Sequence, residues 1–154
     1  MENVNFSINL SKEEGQKDKY LLFYLGKGQY MLEIRYIKEL IKLQPILSMP
    51  GEDSTMKGVI NLRGQAIVIK DLHQKLRQEK IPLTHAGCII IVQVEKKQMG
   101  FIADRAVEII GVEEKNIESF LDSQRNESKE IIRGISIIKD KMSLIIDAKK
   151  LVEG

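Results

Sequence analysis

One supersecondary plan occurs twice in this chain, and that repetition limits the folds open to it. Thirteen positions separate Gly58 from Asp71, and thirteen separate Gly134 from Asp147. Each interval holds an apolar run, a charged turn and a second apolar run, "GVINLRGQAIVIKDL" in one case and "GISIIKDKMSLIIDA" in the other. At an offset of 69, "GKGQYMLEIRYIKELI" aligns with "EKKQMGFIADRAVEII", which sets Glu39 over Glu108. Two copies are too few for a solenoid. The expectation is a pair of similar small β lobes, about residues 20–80 and 86–151.

The local patterns favour strands. "YLLFYLGKGQYMLEI" (20–34) reads as a hairpin reversing at Gly26–Gln29, because glycine reaches positive φ without steric cost. "CIIIVQVEKKQMGFIA" (88–103) repeats that plan with a polar turn at Glu95–Lys97, and the two Gly-to-Asp units, rich in Ile and Val, read as further hairpins. About five short strands per lobe curl into a barrel, which closes edges otherwise free to pair with strangers. Helices are expected to be short: 34–42, 72–78 and the C-terminal "DAKKLVEG". Pro45 and Pro50 mark a loop, 77–87 is the expected joint between lobes, and the polar 121–130 is expected to be a mobile loop. Residues 1–18 are expected to be a flexible tail, and 19–154 a single domain of two subdomains.

Composition then excludes several functions. With 24 Lys+Arg against 22 Asp+Glu the net charge is +2, so no global field favours nucleic acid or an anionic membrane. Cys88 is the only cysteine, which rules out an internal disulfide and fits a reducing cytosol. "CIIIVQV" around it suggests an inert buried thiol. The first twenty residues lack a signal-peptide pattern, and no run approaches the ~20 apolar residues of a membrane span. Cys88, His73 and His85 do not form a zinc cluster. "GKG" at 26–28 lacks the phosphate-loop pattern, and "GISII" lacks the second glycine of a nucleophile elbow. Asp71, Asp104 and Asp147 sit at strand ends, where carboxylates cap turns. No catalytic, cofactor or metal residues are nominated.

The order of "YLLFYL", "IKELI", "KGVINLRGQ", "KDL", "GFIADRAVEIIGV", "IIRGI" and "LIIDAKKL" resembles the CheW family of bacterial chemotaxis adaptors over about residues 20–151. "GVINLRG" followed by an apolar stretch and Asp-Leu is the most telling motif. The resemblance implies a mainly β fold of two five-stranded barrels packed face to face, with short helices. It also implies a non-catalytic adaptor, monomeric on its own, coupling the histidine kinase CheA, through its regulatory domain, to the cytoplasmic tips of methyl-accepting chemotaxis receptors. The implied location is the cytoplasm, recruited to membrane-associated arrays without inserting into the bilayer. Val68 stands where the family usually has proline, and Lys70 where it usually has an apolar residue.

Ile37, Glu39, Gly58, Arg63, Gly100 and Ile109 match positions that the resemblance associates with receptor or kinase coupling. In "VINLRG", strand alternation puts Ile60 and Leu62 on one face and Asn61 and Arg63 on the other, so Asn61 joins the candidate contact set. Gly64 permits a tight reversal, and the five-donor guanidinium of Arg63 suits a carboxylate, for which Glu39 is the in-chain candidate. An Arg63–Glu39 pair is expected to stiffen the rim of the groove between the lobes while Ile37 and Ile109 offer apolar contact to a receptor helix tip. Blander readings stand beside these: Arg63 as a solvated turn residue, Ile37 and Ile109 as core, and Gly58 and Gly100 as backbone-geometry positions. Two other functions stay open. One is an adaptor for another chemosensory system such as twitching motility. The other is a small-barrel nucleic-acid module using Tyr20, Phe23, Tyr24 and Tyr30 to stack bases.

Overall fold

The computed structural model describes residues 18–48, 56–73, 76, 87–119 and 131–153, and the backbone of 7–8. Twelve strands and one short helix are assigned among them: β1 (Ser7–Ile8), β2 (Lys19–Leu25), β3 (Gly28–Glu33), β4 (Ile37–Lys42), β5 (Met56–Leu62), β6 (Gln65–Lys70), β7 (Cys88–Val94), β8 (Lys97–Ala103), β9 (Arg105–Gly111), β10 (Glu118–Ser119), β11 (Ile132–Ile138), β12 (Lys141–Ile146) and α1 (Ala148–Glu153). They form two sheets, ordered β1-β4-β7-β8-β6-β5 (barrel A) and β10-β11-β12-β3-β2-β9 (barrel B).

Each sheet closes in the same way. In barrel A the chain leaving β4 returns at Leu47 to pair with Val59 of β5, through two backbone hydrogen bonds of 2.8 and 2.9 Å. In barrel B the chain leaving β9 returns as β10, which pairs Glu118 with Ile135 of β11. Each returning segment thus pairs with one otherwise free edge of its sheet. Irregularities repeat as well: a register shift at Lys38 in the β4–β7 pairing has its counterpart at Val107 in β9–β2. Another at Lys57 in β5–β6 has its counterpart at Arg133 in β11–β12. The parallel contacts correspond too, Ile69 beside Gly100 and Ile145 beside Met31. The two copies seen in the sequence are therefore one strand plan built twice.

The barrels do not follow the sequence halves 20–80 and 86–151. Barrel A joins β4, β5 and β6 of the first copy to β7 and β8 of the second, while barrel B joins β2 and β3 to β9, β11 and β12. The copies have exchanged their leading hairpins. Packing explains why those hairpins are apolar throughout. Barrel A encloses Ile41, Ile60, Ile67, Ile69, Ile89, Ile91 and Ile102, and barrel B encloses Tyr20, Leu22, Met31, Val112 and Ile145. The other faces of the same hairpins, with Leu21, Phe23, Tyr30, Leu32, Ile90, Val92 and Phe101, meet in a third core between the barrels. A strand covered on both sides reads as a continuous apolar run, whereas β9 alternates between exposed and half-buried positions.

Two further expectations change, and a third is only partly within the described residues. Residues 34–42 are not helical: Ile34–Tyr36 make one 3-10 turn and Ile37–Lys42 form β4. Ser7 and Ile8, placed in a flexible tail, pair with Ile41 and Leu40, because β4 offers them an unpaired edge. In the expected helix 72–78, the Leu76 amide donates to the Leu72 carbonyl at 3.0 Å. Most of that segment lies outside the described residues, as do the expected 121–130 loop and all but one residue of the 77–87 joint. The C-terminal helix forms as expected, with the Lys150 amide donating to Asp147 Oδ1. Val68 takes a regular place opposite Val59, and Lys70 is half-buried.

Candidate functional site

The tip of the β5–β6 hairpin is a two-residue reversal, with φ of 51° at Arg63 and 86° at Gly64. Positive φ at both central residues suits the twist of a tight hairpin. Asn61 Oδ1 accepts the Gly64 amide at 2.9 Å and fixes the turn. From this platform an Arg63 Nη2 donor pairs with Glu39 Oε1. The Arg63 side chain is 64% exposed and the Glu39 side chain only 6%, so an outward fork stands on a carboxylate held in the barrel rim. The groove of about 520 Å³ beside it is lined by Pro45, Ile46, Leu47, Val59, Asn61 and Ala66, so it belongs to barrel A rather than running between the lobes, because the segment after β4 folds back onto β5. Leu47 is 68% exposed there.

Barrel B carries the counterpart. Its β11–β12 hairpin turns at Lys139 and Asp140, both at positive φ, and Lys139 pairs with Glu108. Both partners of this second pair are exposed. A smaller groove of about 320 Å³ lies along Ile117, Glu118, Ile135 and Ile137. Around this end Val107, Ile109, Ile137 and Met142 are all exposed, Ile137 and Met142 as direct cross-strand neighbours.

Of the candidate residues, Glu39, Asn61 and Arg63 come together at one end of barrel A, and Ile109 belongs to the corresponding region of barrel B. Ile37 is fully buried in the core between barrels and is no contact residue. The shift at Lys38 breaks alternation, so that Ile37 and Leu40, three apart, face the same core. Gly58 and Gly100 hold space for neighbours. A Cβ at Gly58 would lie 2.2 Å from the Leu47 carbonyl oxygen, and one at Gly100 would lie 2.8 Å from the Ile69 side chain. The Lys139–Glu108 pair escaped the sequence reading, although the thirteen-residue repeat already aligned Lys139 with Arg63 and the 69-residue offset had aligned Glu108 with Glu39.

Elsewhere the polar groups serve structure. Arg133 Nη2 donates to the Tyr20 hydroxyl at 2.9 Å and to Glu33 at 3.3 Å, beside a polar cavity of about 770 Å³. Burial raises the Tyr20 phenol, against the lowering pull of Arg133. Burial pushes the Cys88 thiol up to about 12, which leaves it protonated and unreactive. Tyr20, Phe23 and Tyr30 are buried and present no stacking surface for bases. Among the described residues no cluster of His, Cys, Asp and Glu is arranged to hold a metal, and no helix is long and apolar enough to cross a membrane.

A family model described as the CheW-like domain matches residues 19–154. The chain belongs to the CheW family. It is 29% identical over 141 residues to a probable chemotaxis protein CheW of Rhizobium etli, covering 91% of each chain. It is 28% identical to the chemotaxis protein CheW of Bacillus subtilis, covering 88% of this chain and 87% of the relative. The scaffolding protein TtCheW from Thermoanaerobacter tengcongensis superposes with a TM-score of 0.75 at 30% identity, over 84% of this chain and 88% of that one. The paired barrels are thus the CheW fold, and a chemotaxis adaptor role follows from membership of the CheW family.

Proposed function

We propose that this chain is a non-catalytic adaptor that couples the histidine kinase CheA, through its regulatory domain, to the cytoplasmic tips of methyl-accepting chemotaxis receptors. The observation that carries the reading is the end of barrel A, where an exposed guanidinium is fixed to a nearly buried carboxylate beside an apolar groove. A preorganised fork loses little side-chain freedom on binding. Next to an apolar slot it suits an amphipathic helix that carries a carboxylate. The receptor tip is assigned to this end. The kinase domain is assigned to the apolar end of barrel B, where Val107, Ile109, Ile137 and Met142 are exposed, Ile137 beside Met142; exposed apolar surface of this kind suits a protein contact. Two weak contacts on one rigid body reinforce each other through effective concentration. Chemistry at either end is unnecessary, since binding energy alone holds the partners together.

The experiment is reconstitution of receptor–kinase complexes with Arg63→Glu, with Arg63→Lys as the conservative control. Receptor binding by Arg63→Glu is expected to weaken at least tenfold while circular dichroism stays native, and Arg63→Lys is expected to keep part of the binding. A correctly folded Arg63→Glu protein that assembles complexes at wild-type affinity would remove Arg63 from the interface.

A further inference from the structure

His73 follows β6 at the edge of barrel A and is 3% exposed. Its ring lies between two carboxylates, with Nδ1 2.7 Å from Asp71 Oδ1 and Nε2 2.9 Å from Asp104 Oδ2. A neutral imidazole has one N–H, so it can serve only one of two such acceptors; an imidazolium serves both. Asp104 sits where the chain passes from β8 of barrel A to β9 of barrel B. The same Oδ2 that meets the histidine accepts the amide of Gly26, in the β2–β3 turn of barrel B. Asp104 also donates its own amide to the Tyr24 carbonyl at 3.0 Å. A continuous polar chain therefore runs from the exit of barrel A, through one histidine, to a turn of barrel B.

We propose that Asp71, His73 and Asp104 form a protonation-controlled latch between the two barrels, closed when the imidazole carries its second proton and loosened when that proton leaves. The groups around the ring are consistent with this role. Asp71 is shared with Lys57 on β5 at 3.7 Å. Cys88 on β7 feels the Asp104 charge but stays a neutral thiol. Asp104 Oδ1 is buried without a hydrogen-bond partner, so its carboxylate relies on the Gly26 amide and the His73 cation. Burial acts to lower the His73 pKa, but the hydrogen bonds and charges of Asp104 and Asp71 outweigh it and hold the pKa above 6.5. The sign follows from the raised value. The latch contributes its full stability below about pH 6.5, the unfolded-state value, and loses that contribution as pH rises through the folded-state pKa. The inference stands apart from the adaptor role, since it concerns only how the barrels are held together.

The test is an NMR titration of the intact chain from pH 5 to 9 that follows the His73 ring and the Gly26 amide, with His85→Gln to assign the two histidines. Both probes are expected to move with one shared midpoint above 6.5. In His73→Gln the Gly26 titration is expected to vanish. A His73 midpoint at or below 6.5, or a Gly26 amide that ignores the His73 transition, overturns the latch. Should His73→Gln fail to fold, the titration of the His85→Gln protein decides alone.

Discussion

The two barrel ends share a backbone plan and differ in chemistry. At each, a hairpin with two left-handed central residues presents a cation to a glutamate that lies just beyond a shifted residue in the facing strand. In barrel A the flanking residues are Asn61 and Ala66 and the carboxylate is buried; in barrel B they are Ile137 and Met142 and the carboxylate is 40% exposed. One backbone geometry thus presents a charged, shape-fixed surface at one end and an apolar one at the other. Duplication followed by divergence of a few side chains is enough to give an adaptor two distinct faces.

The largest expected effect tests whether the shared closure is equally tight in both barrels. Gly58 and Gly134 occupy the same place, where the returning segment crosses the first strand of the hairpin. An added Cβ would meet the Leu47 carbonyl oxygen at 2.2 Å in one and the Glu118 carbonyl oxygen at 2.9 Å in the other, and Gly58 also has φ of 154°. Backbone cannot swing aside as a side chain can. Gly58→Ala is expected to cost about 3 kcal/mol, and Gly134→Ala about 1–2 kcal/mol. Urea unfolding followed by circular dichroism measures both. Equal costs would mean that the two closures are equally strained.

The next effect separates the ion pairs. Removing Arg63 takes a charged donor from a nearly buried Glu39, which costs about 1–3 kcal/mol. Removing Lys139 leaves Glu108 in contact with water, which costs about 0–1 kcal/mol. Arg63→Ala should therefore destabilise more than Lys139→Ala, and double-mutant cycles with Glu39→Gln and Glu108→Gln read the coupling directly. A larger coupling at Lys139 would reverse the assignment of which end is preorganised.

How much of this the sequence disclosed depends on distance along the chain. Hairpins are local, so β2–β3, β5–β6, β7–β8 and β11–β12 were all visible as paired apolar runs. The Arg63–Glu39 pair was also legible, because a guanidinium at the turn suits a carboxylate and Glu39 stood at a position that the resemblance had already marked. The exchange of hairpins between copies was not, since β4–β7 and β2–β9 are pairings between distant segments that leave no local period. Strand β4 was mistaken for helix because Ile37, Leu40 and Ile41 are spaced as on a helix face. The shift at Lys38 lets Ile37 and Leu40 share one face of a strand, while Ile41 faces the interior of barrel A. Ile37 had entered the contact set through the resemblance, and the same shift turns it into the core between the barrels. His73 gave no signal at all, because Asp104 reaches it only through the folded crossover.

The smallest effect on folding carries the most information about the two faces. Ile137 is 67% exposed, so Ile137→Asn should change stability by no more than about 0.5 kcal/mol. Asn61 is its counterpart in barrel A, and Asn61→Ile reverses the exchange, though it adds apolar surface beside Arg63. If the ends are specialised, Ile137→Asn weakens binding of the kinase regulatory domain and leaves receptor binding intact, while Asn61→Ile disturbs receptor binding alone. Calorimetric titration of each purified variant against each partner gives four affinities. Both variants weakening the same partner would mean that the ends act as one surface, and the division of labour between the barrels would be lost.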